Sequence, residues 1–364
     1  MEISARLPWQ LIADSPTVKT YTDWEIFEKE LRRGRAAVED RIPVRTCTEP
    51  SLTLSINQSR ISSNIPRNAS IKVLYKAPLY ANIRNKMEEI HSKNVEYVAV
   101  IEISGEMSDP LNIHVPGGNG LNTHHLVIRL KEKADASINI ITYSLTRGLK
   151  SFWLELLLEP GSRATLRTLS LDTQPTYHVV TAALGRDARV ESNTSLLAGR
   201  MSRYHESYIL SKNASVEIRI GAYAASNRKA DIITDAVLRG TRASAHLSAR
   251  GVVDDNGYLV HRGVARVERE AEDSSAVVDS EVRVMGEKGR GYSVPMLEVF
   301  TGLVREARHS AAVRRLTEEE ETYLMSRGLG MRDASLLMSL EAISYSGVLE
   351  AFCVGISDLL GVFR

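Results

Sequence analysis

Between about residue 95 and residue 316 the chain repeats itself at a spacing that few folds can use. A short corner followed by a strand recurs as Asp135-Ala136-Ser137-Ile138, Arg163-Ala164-Thr165-Leu166, Asp187-Ala188-Arg189-Val190 and Asn213-Ala214-Ser215-Val216. It returns less cleanly as Arg242-Ala243-Ser244-Ala245. The alanines lie 28, 24, 26 and 29 residues apart, irregular but bounded. Each corner opens a strand with apolar residues on one face, clearest at Val216, Ile218 and Ile220 against Glu217 and Arg219. A coil of that length holds two or three short strands, and stacking such coils buries one continuous apolar interior. The fold expected is therefore mainly β, a parallel β-helix or related β-solenoid. An antiparallel sandwich also recurs, every ~8–12 residues, but it relies on tight hairpins. Asn256-Gly257 is the clearest such turn in the repeat, too little for a meander.

The flanks read differently. Residues 1–95 form a mixed, mostly helical region: Thr22-Asp23 precedes WEIFEKELRRGR, with Trp24, Phe27 and Leu31 at helical spacing. A second helix is expected over residues 79–93, and Gln58–Ser70 reads as loop. From Val95 the period becomes two, so the β core is placed at residues 96–316. After Leu316, Thr317 and Glu320 form a capping box, and Gly328 suits the left-handed residue that ends the helix. A longer helical stretch, MRDASLLMSLEAISYSGVLEAF, puts Leu336, Leu337, Leu340 and Ile343 on one apolar face. Residues 317–364 are expected to make a small helical domain, of the kind that can cover the unpaired strand edges at a solenoid's end.

Composition narrows the function. Lys+Arg 46 against Asp+Glu 45 leaves a net charge of +1, so no electrostatic footprint for nucleic acid or membrane is present. No run approaches the ~18 apolar residues of a spanning helix. The start, MEISARLPWQ, lacks the pattern of a signal peptide, and a cytoplasmic location is expected. Cys47 and Cys353 are the two cysteines; their distance in sequence excludes a disulfide framework and any CxxC site. Cys353, in an apolar helical context, reads as a buried small hydrophobe.

The stretch after Gly251 carries a further signal. It holds Gly257 and Gly263 in NGYLVHRG, then Pro295, Leu297 and Glu298 in PMLE. His309 follows in RHSAAV, and Tyr323, Leu324, Arg327 and Gly328 in YLMSRG. In order and spacing this resembles the C-terminal core of the SufB/SufD family of iron–sulfur cluster assembly proteins. The likeness covers roughly residues 125 to 352. It implies an N-terminal helical domain, a right-handed parallel β-helix and a C-terminal helical domain. SufB-like members carry a cysteine shortly before the P-x-L/I-E motif; here Met285–Val294 has no thiol, and Gly289 or a neighbour stands at the aligned position. They also tend to place a glutamate after the histidine, where this chain has Ser310. Both departures resemble SufD more than SufB.

The resemblance therefore implies a non-catalytic subunit that pairs with a SufB-like paralogue, or with itself, and docks a SufC-like ATPase on its C-terminal helical domain. His309 is the site residue it implies, as a metal and cofactor ligand facing a transient iron–sulfur cluster at the partner interface. A cluster takes four ligands, mostly thiolates, so a partner must bring most of the sulfur. A neutral imidazole is a competent iron ligand; the competing role for His309 is packing at the last coil.

Other residues have structural readings. Glu298 alternates out of an apolar strand, and Arg327 sits in the last turn of a helix, where a cation offsets the carbonyl dipole. His124 and His125 point to opposite faces of a strand and cannot chelate one ion. Asp254-Asp255 before Asn256-Gly257 is turn chemistry rather than a calcium loop. Gly117-Gly118-Asn119-Gly120 is a flexible loop without the lysine of a phosphate loop. The alternatives from other functional classes are a SufB-like scaffold that itself holds the nascent cluster, and a carbohydrate-active enzyme on a β-solenoid. The second would need aromatic platforms, and aromatics are only 6% of this chain.

Overall fold

The computed structural model describes residues 4–9, 21–35, 38–55, 59–61, 65–75, 83–285, 287–355 and 358–359. Three short strands come first: β1 (Leu52–Leu54), β2 (Ser59–Ile61) and β3 (Ala69–Tyr75). Eight two-strand coils follow. They begin with β4 (Tyr97–Ile103) and β5 (Leu111–Pro116), β6 (Gly120–Leu130) and β7 (Asp135–Ser144), β8 (Gly148–Leu158) and β9 (Arg163–Asp172). The middle coils are β10 (Thr176–Leu184) with β11 (Arg189–Leu197), and β12 (Ser202–Leu210) with β13 (Ser215–Ala224). The last are β14 (Lys229–Leu238) with β15 (Ser244–Val253), β16 (Tyr258–Val267) with β17 (Ser275–Val284), and β18 (Arg290–Val299) with β19 (Glu306–Arg315). Even-numbered strands from β4 onward stack in a nine-stranded sheet that ends on β3, odd-numbered ones in a ten-stranded sheet that ends on β1 and β2. Within the coils every pairing is parallel; only β1–β2 and β3–β4 are antiparallel. The expected parallel β-solenoid is the fold.

Local chemistry explains the coil. Lys133, Gly161, Asp187, Asn213 and Arg242 all have positive φ, from 57° to 72°. Asp and Asn tolerate that conformation better than most residues, and here the corner side chains also bond up the stack. Asn213 Nδ2 donates to Asp187 Oδ1 (2.7 Å), and Arg242 Nε donates to Asn213 Oδ1 (2.9 Å). The residue after each corner, Ala134, Ser162, Ala188, Ala214 or Ala243, is fully buried because the chain there turns inward. The repeat thus runs through positions 134, 162, 188, 214 and 243, in steps of 28, 26, 26 and 29 residues. In the second and third coils Ala136 and Ala164 are the second residues of their strands, two past the buried corner positions Ala134 and Ser162. Apolar columns fill the lumen, such as Ile128, Leu156, Ala182, Tyr208, Ala236 and Ala265.

Helices flank both sheets. On the nine-stranded side, α1 (Trp24–Leu31) and α2 (Lys86–Asn94) pack Phe27, Leu31, Met87 and Ile90 against Leu149, Trp153 and Tyr177. That interface is also polar. His91 Nε2 and His125 Nδ1 share a proton-bearing contact of 3.1 Å, and His125 Nε2 lies 2.9 Å from Glu155 Oε1. Asp231 is held by Arg203 (2.6 Å) and, through two bonds to one oxygen and one to the other, by Arg262. His124 points the other way, into the lumen column of Phe152 and His178, so the two adjacent imidazoles do lie on opposite faces. The segment Gln58–Ser70, expected as loop, contains β2 and the start of β3; Gln58 and residues 62–64 lie outside the described residues. Gly117–Gly120 is a packed corner rather than a flexible loop. A Cβ at Gly117 would meet Ser144, and Gly120, at φ 97°, lies against the backbone of Gly34 and Arg35.

After the last coil come α3 (Glu318–Ser326), α4 (Met331–Ser344) and α5 (Val348–Phe352). The capping box is present, with Thr317 N–H donating to Glu320 Oε2 (2.9 Å) and Glu320 N–H to Thr317 Oγ1 (3.2 Å). Gly328 takes φ 80°. The long helical stretch breaks at Gly347, φ 68°. α4 does not sit over the last coil. It crosses the outer face of β11, β13 and β15, where Ser195 Oγ donates to the Ile343 carbonyl (2.7 Å) and Tyr345 to Ser248 Oγ (3.1 Å). Leu340 and Ile343 are buried there with Leu336 beside them, whereas Leu337, one residue round the helix, is 52% exposed.

Cys353, expected as a buried hydrophobe, is exposed, and it forms with Cys47 a disulfide that their distance in sequence argued against. Their separation of 306 residues concealed that the strap over residues 41–50 and the end of α5 meet on one flank of the solenoid. Among the described residues no helix is long and apolar enough to cross a membrane.

Candidate functional site at the last coil

The register fixes where His309 points. Leu111, Ile138, Leu166, Ser192, Ile218, Leu247 and Val278 form one in-register column of fully buried, inward-facing residues. His309 is the next member after Val278. Its imidazole therefore faces the mouth of the lumen, and it is exposed because no further coil follows. Among the described residues its ring has no hydrogen-bond partner.

The glycines of the preceding coil show what stands opposite. A Cβ at Gly263 would collide with Val278 Cγ1, so these two residues meet across the lumen. Their in-register successors one coil on are Pro295 and His309. Gly257 belongs to the corner: its N–H donates to the Asp254 carbonyl (2.9 Å), and a Cβ there would run into the Ala224 backbone. Asp254-Asp255 supplies that corner, as turn chemistry requires, with Asp255 at φ 51°. His261, between the two glycines, went unnoticed in the sequence. It is buried between Ser280 Oγ (2.9 Å) and Thr234 Oγ1 (3.0 Å), and burial, reinforced by the Arg262 charge, pushes its pKa down to about 4.

Around His309 the outer face is ionic. Ser310 Oγ donates to Asp279 Oδ1 (2.6 Å), and the same carboxylate takes His246 Nε2 (3.1 Å) and Arg308 (3.3 Å). Burial alone would raise the Asp279 pKa, but these three partners outweigh it and hold the group below the usual carboxylate range. Ser310 is thus engaged with the neighbouring coil. Glu298 accepts from Arg266 (2.6 Å) on the outside of the nine-stranded sheet and is structural in these contacts. Arg327 caps α3 with its N–H on the Tyr323 and Leu324 carbonyls, and its guanidinium lies over the Tyr323 ring. Gly289 is buried in the corner before β18, against Val253 and Val284, beside an open cleft of about 730 Å³ lined in part by Tyr258, Lys288, Arg290 and Arg315.

β18 and β19 are the terminal strands of the two sheets, so one edge of each has no strand partner. All ten residues of β19 are exposed. Large apolar side chains are exposed with them: Tyr292, Met296, Val299, Phe300, Leu303 and Val313, from 38% to 62%. Such a rimmed apolar patch on strand edges is chemistry for docking another protein. Sequence reading missed it, because β18 and β19 alternate like every other strand; only their place at the end of the stack distinguishes them. Among the described residues no group of three or more His, Cys, Asp or Glu is arranged to hold a metal ion. His309 is a single donor.

Comparison with known proteins fits this architecture. Residues 113–341 match the family described as SUF system FeS cluster assembly, SufBD core domain. An iron-sulfur cluster assembly SufBD family protein of Staphylococcus saprophyticus is 21% identical over 209 residues, 55% of this chain and 44% of that protein. A SufBD family protein of Pyrococcus horikoshii is 26% identical over 185 residues, 48% of this chain and 40% of the relative. The chain thus spans less than half the length of these curated relatives. The matched core runs from the first coil through the last and into α4, well over half of the sequence, and the chain belongs to the SufBD family of iron–sulfur cluster assembly proteins.

Proposed function

We propose that this chain is a non-catalytic, SufD-like subunit of a cytoplasmic Suf complex, and that its last coil is the face that meets a cysteine-bearing SufB-like chain. The observation that carries this reading is the uncovered end of the solenoid, where two free strand edges, an exposed apolar rim and an unpartnered His309 coincide. The cluster is cargo. One imidazole can contribute one ligand to it, and the remaining thiolates come from the partner, since Cys47 and Cys353 both lie on the flank beside β7, β9 and β11, away from the last coil. A SufC-like ATPase is assigned to the C-terminal helices, where Tyr323, Met325 and Leu337 are exposed by 58%, 63% and 52%.

Co-expression of the tagged chain with the cysteine-bearing paralogue and the ATPase, followed by native mass measurement, tests this. One copy of this chain with one paralogue and two ATPases is expected. His309→Ala should leave that assembly intact and lower the iron and sulfide it yields by about tenfold or more. A chain that ignores both candidates, or one that alone holds a stoichiometric cluster under anaerobic conditions, would overturn the proposal, the second outcome in favour of a SufB-like scaffold.

A further inference from the structure

Cys47 and Cys353 are the only cysteines in the sequence, and both residues are exposed, whereas Phe352 and Val354 beside Cys353 are buried. Their bond joins two pieces that have little regular structure of their own. The strap over residues 41–50 contains no helix or strand. α5 is a five-residue helix set between Gly347 and Cys353, both left-handed, at φ 68° and 52°. That conformation is disfavoured for a residue with a side chain, so Cys353 is held in it by its surroundings. Val44 from the strap packs with Leu349, Phe352 and Val354 over Ile141, Leu169 and Leu197 of the ten-stranded sheet. A backbone hydrogen bond from Cys47 N–H to the Phe352 carbonyl (3.2 Å) crosses the same junction. α4, by contrast, has its own ties to the sheet through Ser195, Ser248 and the Glu341 pairs with Arg250 and Arg283.

We propose that Cys47–Cys353 is a thiol–disulfide latch. Closed, it fixes α5 and the strap on the flank of the solenoid; opened by a dithiol reductant, it releases both and uncovers the apolar ends of β7, β9 and β11. A thiolate of the reductant attacks one exposed sulfur, the S–S bond breaks, and the other cysteine leaves as a thiolate that takes a proton. The second thiol of the reductant then resolves the mixed disulfide. Two electrons and two protons reach the protein, and the dithiol ends as a disulfide. The inference concerns the chain by itself and stands whether or not the proposed partners are right.

Hydrogen exchange read by mass spectrometry on the whole chain, oxidised and after dithiothreitol, tests it, with thiols counted by intact mass. Amides in residues 42–50 and 348–354 should exchange at least ~10-fold faster after reduction, with the coils unchanged and the slow pattern restored on reoxidation. The double variant Cys47→Ser/Cys353→Ser should show the open pattern with or without reductant. Equal exchange in both states, a bond that survives excess dithiothreitol in the folded chain, or loosening that spreads through all the coils would each overturn the latch.

Discussion

β11 and β19 belong to the same sheet, occupy the same register and differ in one respect: what lies above and below them. β11 has a coil on each side and α4 across its outer face, and seven of its nine residues are buried. β19 has a coil on one side only, and none of its ten residues is buried. Ser192 and His309 stand in one column, yet the first is sealed in the lumen and the second faces out of it. In a stacked fold the sequence of a strand decides which side chains point inward, but the neighbouring coil decides whether inward means buried. Helices α1, α2, α4 and α5, which could have capped the stack, are spent on the flanks. The end is left open, and His309 sits there.

Acid should act strongly on the sealed region. His124 and His178 lie fully in the lumen, and burial, with the nearby Lys150 charge, pushes each pKa down to about 3; His261 follows at about 4. The unfolded chain takes up protons on these imidazoles below about pH 6.5, while the folded chain does not until far lower. Their contribution is therefore complete above pH 6.5 and is lost as pH falls toward 3–4. Between pH 7 and pH 5 each should cost the fold on the order of 1–2 kcal/mol. Urea midpoints at the two pH values measure it. His178→Phe, which continues the ring of Phe152 in its column, should flatten the dependence. A variant as pH-sensitive as the parent would contradict the sealed lumen.

The same column allows a packing test. Ile218→Ala removes a fully buried side chain between Ser192 and Leu247 and should cost about 2–5 kcal/mol. His309→Ala, three places further along the column, should fall within about 0.5 kcal/mol of the parent. Chemical denaturation of both variants decides it. A large loss at His309 would mean that its role is packing, the competing reading of that residue.

The repeat, the parallel solenoid, the capping box and the order of motifs could all be read from the sequence, because they rest on local chemistry, whereas two strands per coil rather than three could not. The phase of the second and third coils could not either. Shifting the corner by two residues, from Ala134 to Ala136, keeps every inward residue inward, so the alternation of a strand cannot detect it. The side of the solenoid on which α4 packs was equally hidden, since Leu336, Leu340 and Ile343 announce an apolar face but not its partner. Nor does any local signal pair Cys47 with Cys353. His309 was found through its surroundings in the sequence, but its direction, and the apolar rim about it, depend on a coil that is absent.

Glu298 gives the finest division between stability and docking. It lies on β18, outward, with Arg266 as its partner at 2.6 Å and Phe300 beside that guanidinium. Its side chain is 33% exposed and that of Arg266 45%, and a pair so open to water contributes little, about 0–1 kcal/mol. Glu298→Gln should therefore shift the urea midpoint by less than about 0.5 kcal/mol at neutral pH. If the last coil is where a partner strand lies down, the same change alters charge on the docking face. It should then weaken copurification of the paralogue while the isolated chain melts as before. Loss of both together would assign the glutamate to the fold; loss of neither would put it outside the interface and narrow the contact to β19 and the rim around His309.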